Sequence, residues 1–146
     1  MTELYRSVYQ FIEYYPEYSL MKRVLESHSE NMGRPGFQHE WLEYAKAIRH
    51  YQPEYILVNA RNFDFLILKE VQEWINRHVI SVYNEIGLKK WAIVVPPKFL
   101  HQVGIEQTIE ANPDNTFEVQ YFETEEEAIQ WLQNNPQNNQ SRISSH

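Results

Sequence analysis

The chain has 146 residues, 13 basic and 20 acidic, a formal net charge of -7 and no cysteine. This length suits one domain that buries about 68–70% of its unfolded surface. The missing cysteines exclude disulfides, thiolate zinc sites and a thiol nucleophile, and the acidic balance disfavours sequence-independent nucleic-acid binding and attraction to anionic membranes.

Met1 to Arg6 lacks the apolar stretch of a secretory signal. The longest strongly apolar runs, such as Ala92-Ile93-Val94-Val95, fall far short of the ~20 residues of a membrane span. A soluble cytoplasmic protein is therefore expected. The two basic pairs, Lys22-Arg23 and Lys89-Lys90, read as solvated strand ends. Tyr5, Tyr9, Tyr14, Tyr15 and Tyr18 crowd the start of the chain, as they would on a sheet edge or a homodimer surface.

In chain order, residues 7–15 (SVYQFIEYY) read as a strand. Pro16-Glu17 makes a turn, and residues 18–26 (YSLMKRVLE) a second strand paired to the first. Residues 27–36 read as a loop, because Gly33, Pro35 and Gly36 oppose a regular element. A first helix over about 37–51 places Trp41, Leu42, Ala45 and Ile48 on one face. Tyr55-Ile56-Leu57-Val58 is a continuous apolar run, which suits a parallel strand buried on both faces.

A second helix over about 66–86 is predicted from Leu68, Val71, Ile75, Val79, Val82 and Ile86, with Gly87 as its left-handed stop. Trp91 to Val95 reads as the next buried strand, followed by a helix over about 98–111 carrying Phe99, Val103 and Ile109 inward. Residues 117–122 alternate as a strand. Thr124 and Glu127 form a capping box for a last helix, with Ala128, Ile129, Trp131 and Leu132 buried. The expected fold is α/β, order ββαβαβαβα, one domain over 1–133 and a polar, disordered tail over 134–146.

Ligands in open α/β sheets sit beyond the carboxyl ends of the strands. Those ends offer Asn59, Arg61, Asn62, Asp64, Lys98 and His101. No P-loop, dinucleotide-binding glycine pattern, nucleophile elbow or HExxH motif is present. His39 and His50 bracket the first helix about 16 Å apart and cannot share a metal there. No cofactor or metal is expected. Asp64 as base with His101 as acid is a weak enzymatic reading without a nucleophile or metal beside them.

The stretch from Phe11 to Leu132 resembles the SpoIIAA-like branch of the STAS domain family, which is akin to CRAL–TRIO lipid-binding domains. The resemblance is carried by Phe11-Ile12-Glu13-Tyr14-Tyr15-Pro16, by Tyr55 to Val58 with Asn59-Ala60-Arg61-Asn62 after it, and by Glu73-Trp74. Trp91 to Pro96, Phe122 with Glu126-Glu127-Ala128, and Trp131-Leu132 complete it. It implies a mixed sheet with helices mainly on one face, and non-catalytic work: partner recognition in signalling, or binding of a lipid-like ligand. The sporulation proteins carry a phosphorylated serine at the start of helix two. Here that region reads Phe63-Asp64-Phe65-Leu66-Ile67-Leu68-Lys69, without Ser or Thr, so the phosphoswitch does not carry over.

Three functions are then weighed. The first is a regulatory domain docking a protein partner through Asn59, Arg61, Asn62, Phe63, Asp64, Phe65, Lys98 and His101. The second is a carrier or sensor of an apolar small molecule. The third is a small hydrolase or isomerase using Asp64, His101 and Lys98. Phe65 and Leu66 have a plainer alternative as the start of the core face of helix two.

Overall fold

The computed structural model describes residues 1–26, 34–62, 69–97 and 114–134. The chain opens with three antiparallel strands, β1 (Thr2–Arg6), β2 (Gln10–Tyr15) and β3 (Leu20–Leu25). Two were expected, the first running unbroken over 7–15. Ser7 is the reason for the difference. Its Oγ accepts from the N–H groups of Tyr9 at 3.0 Å and Gln10 at 3.3 Å, and its own N–H donates to the Gln10 carbonyl at 2.8 Å. A serine that satisfies neighbouring backbone in this way competes with the strand ladder and makes a turn. Between Glu3 and Tyr5 the register of β1 against β2 shifts by one residue. Both Leu4 and Tyr5 consequently pack against the core. The turn at Pro16 is a short 3₁₀ segment (Pro16–Tyr18) closed by Ser19 in the left-handed conformation, φ 51°.

Helix α1 (Arg34–Tyr51) begins three residues earlier than expected, with Pro35 and Gly36 inside its first turn. Proline is tolerated there because the first helical N–H groups have no intrahelical acceptor. Its buried face is Trp41, Tyr44, Ala45 and Ile48; Leu42 is 57% exposed and does not belong to it. Next come β4 (Tyr55–Asn59), α2 (Lys69–Glu85), β5 (Lys90–Val94), β6 (Glu118–Phe122) and α3 (Glu125–Gln133). The helix expected over 98–111 and the tail beyond 134 lie outside the described residues.

The six strands lie side by side in chain order, with β3, β4, β5 and β6 mutually parallel. The sheet is thus mixed, with β1 and β6 at its edges. Alternate residues of β4 build two cores. Ile56 and Val58 face Ile12, Met21 and the buried sides of α1 and α2, whereas Leu57 faces Leu20, Ala92, Val94 and Ala128 and Leu132 of α3. Each of the buried Val, Leu, Ile and Met side chains among these contributes roughly 1.5–3 kcal/mol relative to exposure. Two of the three described helices therefore share one face, and α3 covers the other, chiefly over β5.

Helix ends follow local chemistry. Gly87, φ 70°, donates to Asn84 at 3.1 Å, and Leu88 donates to Tyr83 at 3.0 Å, the two bonds of a Schellman stop. Thr124 Oγ1 accepts from the N–H of Glu127 at 3.2 Å, and the Thr124 hydroxyl donates to the Glu127 carboxylate at 3.1 Å. Three acidic residues occupy that first turn, where the helix dipole favours them. Among the described residues, no helix is long and apolar enough to cross a membrane.

Candidate functional site

The carboxyl ends of the parallel strands meet the start of α3 at a polar brace. Asn59, the last residue of β4, has both ends of its amide engaged. Nδ2 donates to Glu125 Oε2 at 2.5 Å, and Oδ1 accepts from the Arg61 N–H at 3.0 Å. Glu125 Oε1 in turn pairs with Lys22 Nζ of β3 at 2.8 Å. Burial works against the charge on Lys22, but the Glu125 carboxylate outweighs it and holds the lysine pKa above its usual value. Tyr15 of β2 donates to Glu13 at 3.1 Å, and burial with that carboxylate raises its pKa, while Lys22 lowers it.

Past this brace the chain makes a turn. The Ala60 N–H donates to the Val94 carbonyl of β5 at 2.8 Å. Arg61 and Asn62 follow, both exposed. Of the residues expected at the rim, Asn59 holds the base of the turn through both ends of its amide, and Arg61 and Asn62 stand on that turn. Phe63, Asp64, Phe65, Lys98 and His101 lie outside the described residues. His39 and His50 are exposed on α1, and no group of three or more potential metal ligands occurs among the described residues.

On the opposite face, a second polar cluster sits under α1. Arg23 Nε donates to Gln10 Oε1 at 2.5 Å, and Gln10 Nε2 donates to the Glu40 carbonyl at 2.9 Å. The Arg23 guanidinium lies 4.2 Å from the centre of the Tyr44 ring, and the Tyr44 and Tyr83 hydroxyls are 2.5 Å apart. The Glu40 carboxylate is engaged elsewhere: it accepts from the Tyr5 and Ser7 hydroxyls. Tyr5 is held up to a pKa of about 12, first by burial and then by Glu40.

Sequence reading missed this cluster. It placed Lys22-Arg23 and Lys89-Lys90 at solvated strand ends. That description fits Lys89 alone, which is exposed and paired with Glu54 at 3.0 Å. Lys90 is buried and donates to the Trp131 carbonyl at 2.9 Å and to the Asn134 carbonyl, closing the end of α3. A signal for Arg23 existed: in a period-two strand it shares a face with Met21.

An open groove of about 510 Å³ lies at the other end of the sheet, where β3 and β4 begin. It is lined by Tyr18, Leu20, Tyr55, Ile129, Leu132 and Gln133. No family model matches the sequence, and no curated protein or solved structure is significantly similar to it.

Proposed function

We propose that this chain is a non-catalytic regulatory domain of the STAS type, which docks a protein partner on the turn after β4 and the adjoining start of α2. The observation that carries the reading is the fixed, exposed turn. Arg61 and Asn62 are presented to solvent, while Asn59 ties the turn's base to Glu125 and Lys22 on two other elements. A docking loop that is already ordered loses less conformational freedom on binding. The mixed sheet with parallel central strands supports the same reading, as does the resemblance of the segments from Phe11 to Leu132. Docking here does not depend on phosphorylation, since residues 63–69 contain neither Ser nor Thr. Site-specific photocrosslinking from position 62 of the full chain in cells tests it. A discrete adduct, lost in Arg61→Glu protein of unchanged melting temperature, is expected. Absence of any discrete adduct refutes the reading.

A second reading, carriage of an apolar small molecule, is favoured by the groove beside α3. Its volume falls within the usual range of ligand pockets, and Leu20, Ile129 and Leu132 supply apolar wall. Native mass spectrometry before and after denaturation separates the two. A co-purifying molecule that denaturation releases supports carriage, and an empty protein removes it.

A further inference from the structure

We propose that Arg23 seats an oxyanion, a carboxylate or phosphate group of a small ligand, near the carboxyl end of β3 beneath α1. The inference is independent of the docking turn, which lies on other residues. It starts from the cost of a set-in charge. A cation taken from water is penalised unless an anion or several acceptors replace the lost hydration. Burial does lower the Arg23 pKa, against the raising influence of Tyr44, Tyr83 and Glu40.

The acceptors supplied by the described residues do not complete the guanidinium's shell, and its open side reaches solvent. Nε bonds to Gln10, and the ring of Tyr44 covers one face of the cation. Among the described residues, no acceptor takes a hydrogen bond from the two terminal amino groups. The Glu40 carboxylate favours the charge on Arg23, but its oxygens accept from Tyr5 and Ser7, and Gln10 reaches only the Glu40 backbone carbonyl. The pair of terminal amino groups matches the two oxygens of a carboxylate or phosphate in a bidentate pairing.

Position and access agree with binding. Arg23 is level with Val58 in the parallel register, one residue short of the end of β4, which is the end of an α/β sheet where ligands collect. Although it lies below α1, Arg23 keeps partial solvent exposure. The arrangement also fixes the cation: Gln10 and the Tyr44 ring hold the guanidinium from two sides, and Tyr83 holds the Tyr44 ring through its hydroxyl.

The test is a titration of the full-length, nitrogen-labelled protein with sodium phosphate, sodium acetate or sodium chloride at matched ionic strength. The Arg23 Nε–H and the Gln10 side-chain amide are followed by NMR. A saturable shift with phosphate or acetate but not chloride is expected, together with a higher melting temperature. A response to phosphate alone assigns a phosphoryl group, one to acetate alone a carboxylate, and both a general oxyanion seat. In Arg23→Lys, the Gln10 amide should report binding weaker by about tenfold or more, because the bidentate pairing is gone. A wild-type protein that shows no saturable response overturns the proposal, and that measurement needs no variant to fold. So does a response that follows ionic strength whichever salt is added, or an unchanged affinity in Arg23→Lys.

Discussion

The hydroxyl groups of Tyr44 and Tyr83 lie 2.5 Å apart in the core, joining α1 to α2 through one hydrogen bond. Both side chains are fully buried. The Tyr83 ring also meets Trp91 and Phe117 edge to face, at 4.9 and 5.7 Å between centres. Either single change to Phe strands the remaining hydroxyl, at a cost of about 1–3 kcal/mol. The double variant strands none, so it should lose less than the sum of the two. Urea unfolding of the four proteins in a double-mutant cycle measures the difference.

The same pair makes stability sensitive to alkali. Burial raises the Tyr44 pKa to about 12, with Arg23 and Tyr83 pulling it back, and burial raises Tyr83 well above its usual value. In the unfolded chain a tyrosine releases its proton near pH 10. Above that pH the native state therefore holds more protons than the unfolded state, and stability falls as pH rises. The contribution is fully present below about pH 10 and is lost toward pH 12, roughly 3 kcal/mol for a shift of the size seen at Tyr44. Denaturant midpoints across this range should fall for the wild type and fall less steeply for Tyr44→Phe.

Asn59 should matter through the turn it holds. Asn59→Ala removes two hydrogen bonds and is expected to cost about 1–3 kcal/mol. The Arg61 amide, which loses its acceptor, should exchange faster with solvent than in the wild type. Glu125→Gln keeps the shape but removes the partner of Lys22, so it should destabilise less than Asn59→Ala and leave the Arg61 amide protected. Amide exchange with urea titration reads both effects.

Lys90 closes α3 by donating to two carbonyls near its end, and its Nζ lies 5.0 Å from the Trp131 ring centre. Burial lowers its pKa, with Glu118 acting in the opposite direction. Lys90→Met keeps the stem and removes the donor. About 1–3 kcal/mol should be lost as the carbonyls go unpaired. Amide exchange should rise in the last turn of α3 before it rises in β5. Uniform exchange across both elements would contradict this role.

Much of the frame was legible because its signals are local. The apolar run of β4, the Thr124 cap and the left-handed stop at Gly87 each depend on a few adjacent residues, and each appears where expected. Leu42 and Tyr44 show the limit. The stripe read from the sequence included Leu42 and left out Tyr44, yet only Tyr44 is buried, where Arg23 and Tyr83 from other elements meet it. The site was less legible than the frame. Asn59 was recognised as a rim residue, but its bonding to Glu125 joins residues 66 apart in the chain.

By itself the sequence determined the class of the protein: an acidic α/β chain without cysteine, its central parallel strands and helix ends written in hydrophobic period and capping residues. Only the tertiary structure decided what its polar groups do. Adjacent Lys22 and Arg23 point to opposite faces of β3, one to Glu125 and the other under Tyr44. Lys89 and Lys90 likewise part, one to an exposed ion pair and one to the end of α3. Side-chain alternation follows from the strand alone. The partner each group meets depends on which helix covers that face, and that is settled only when the two cores assemble.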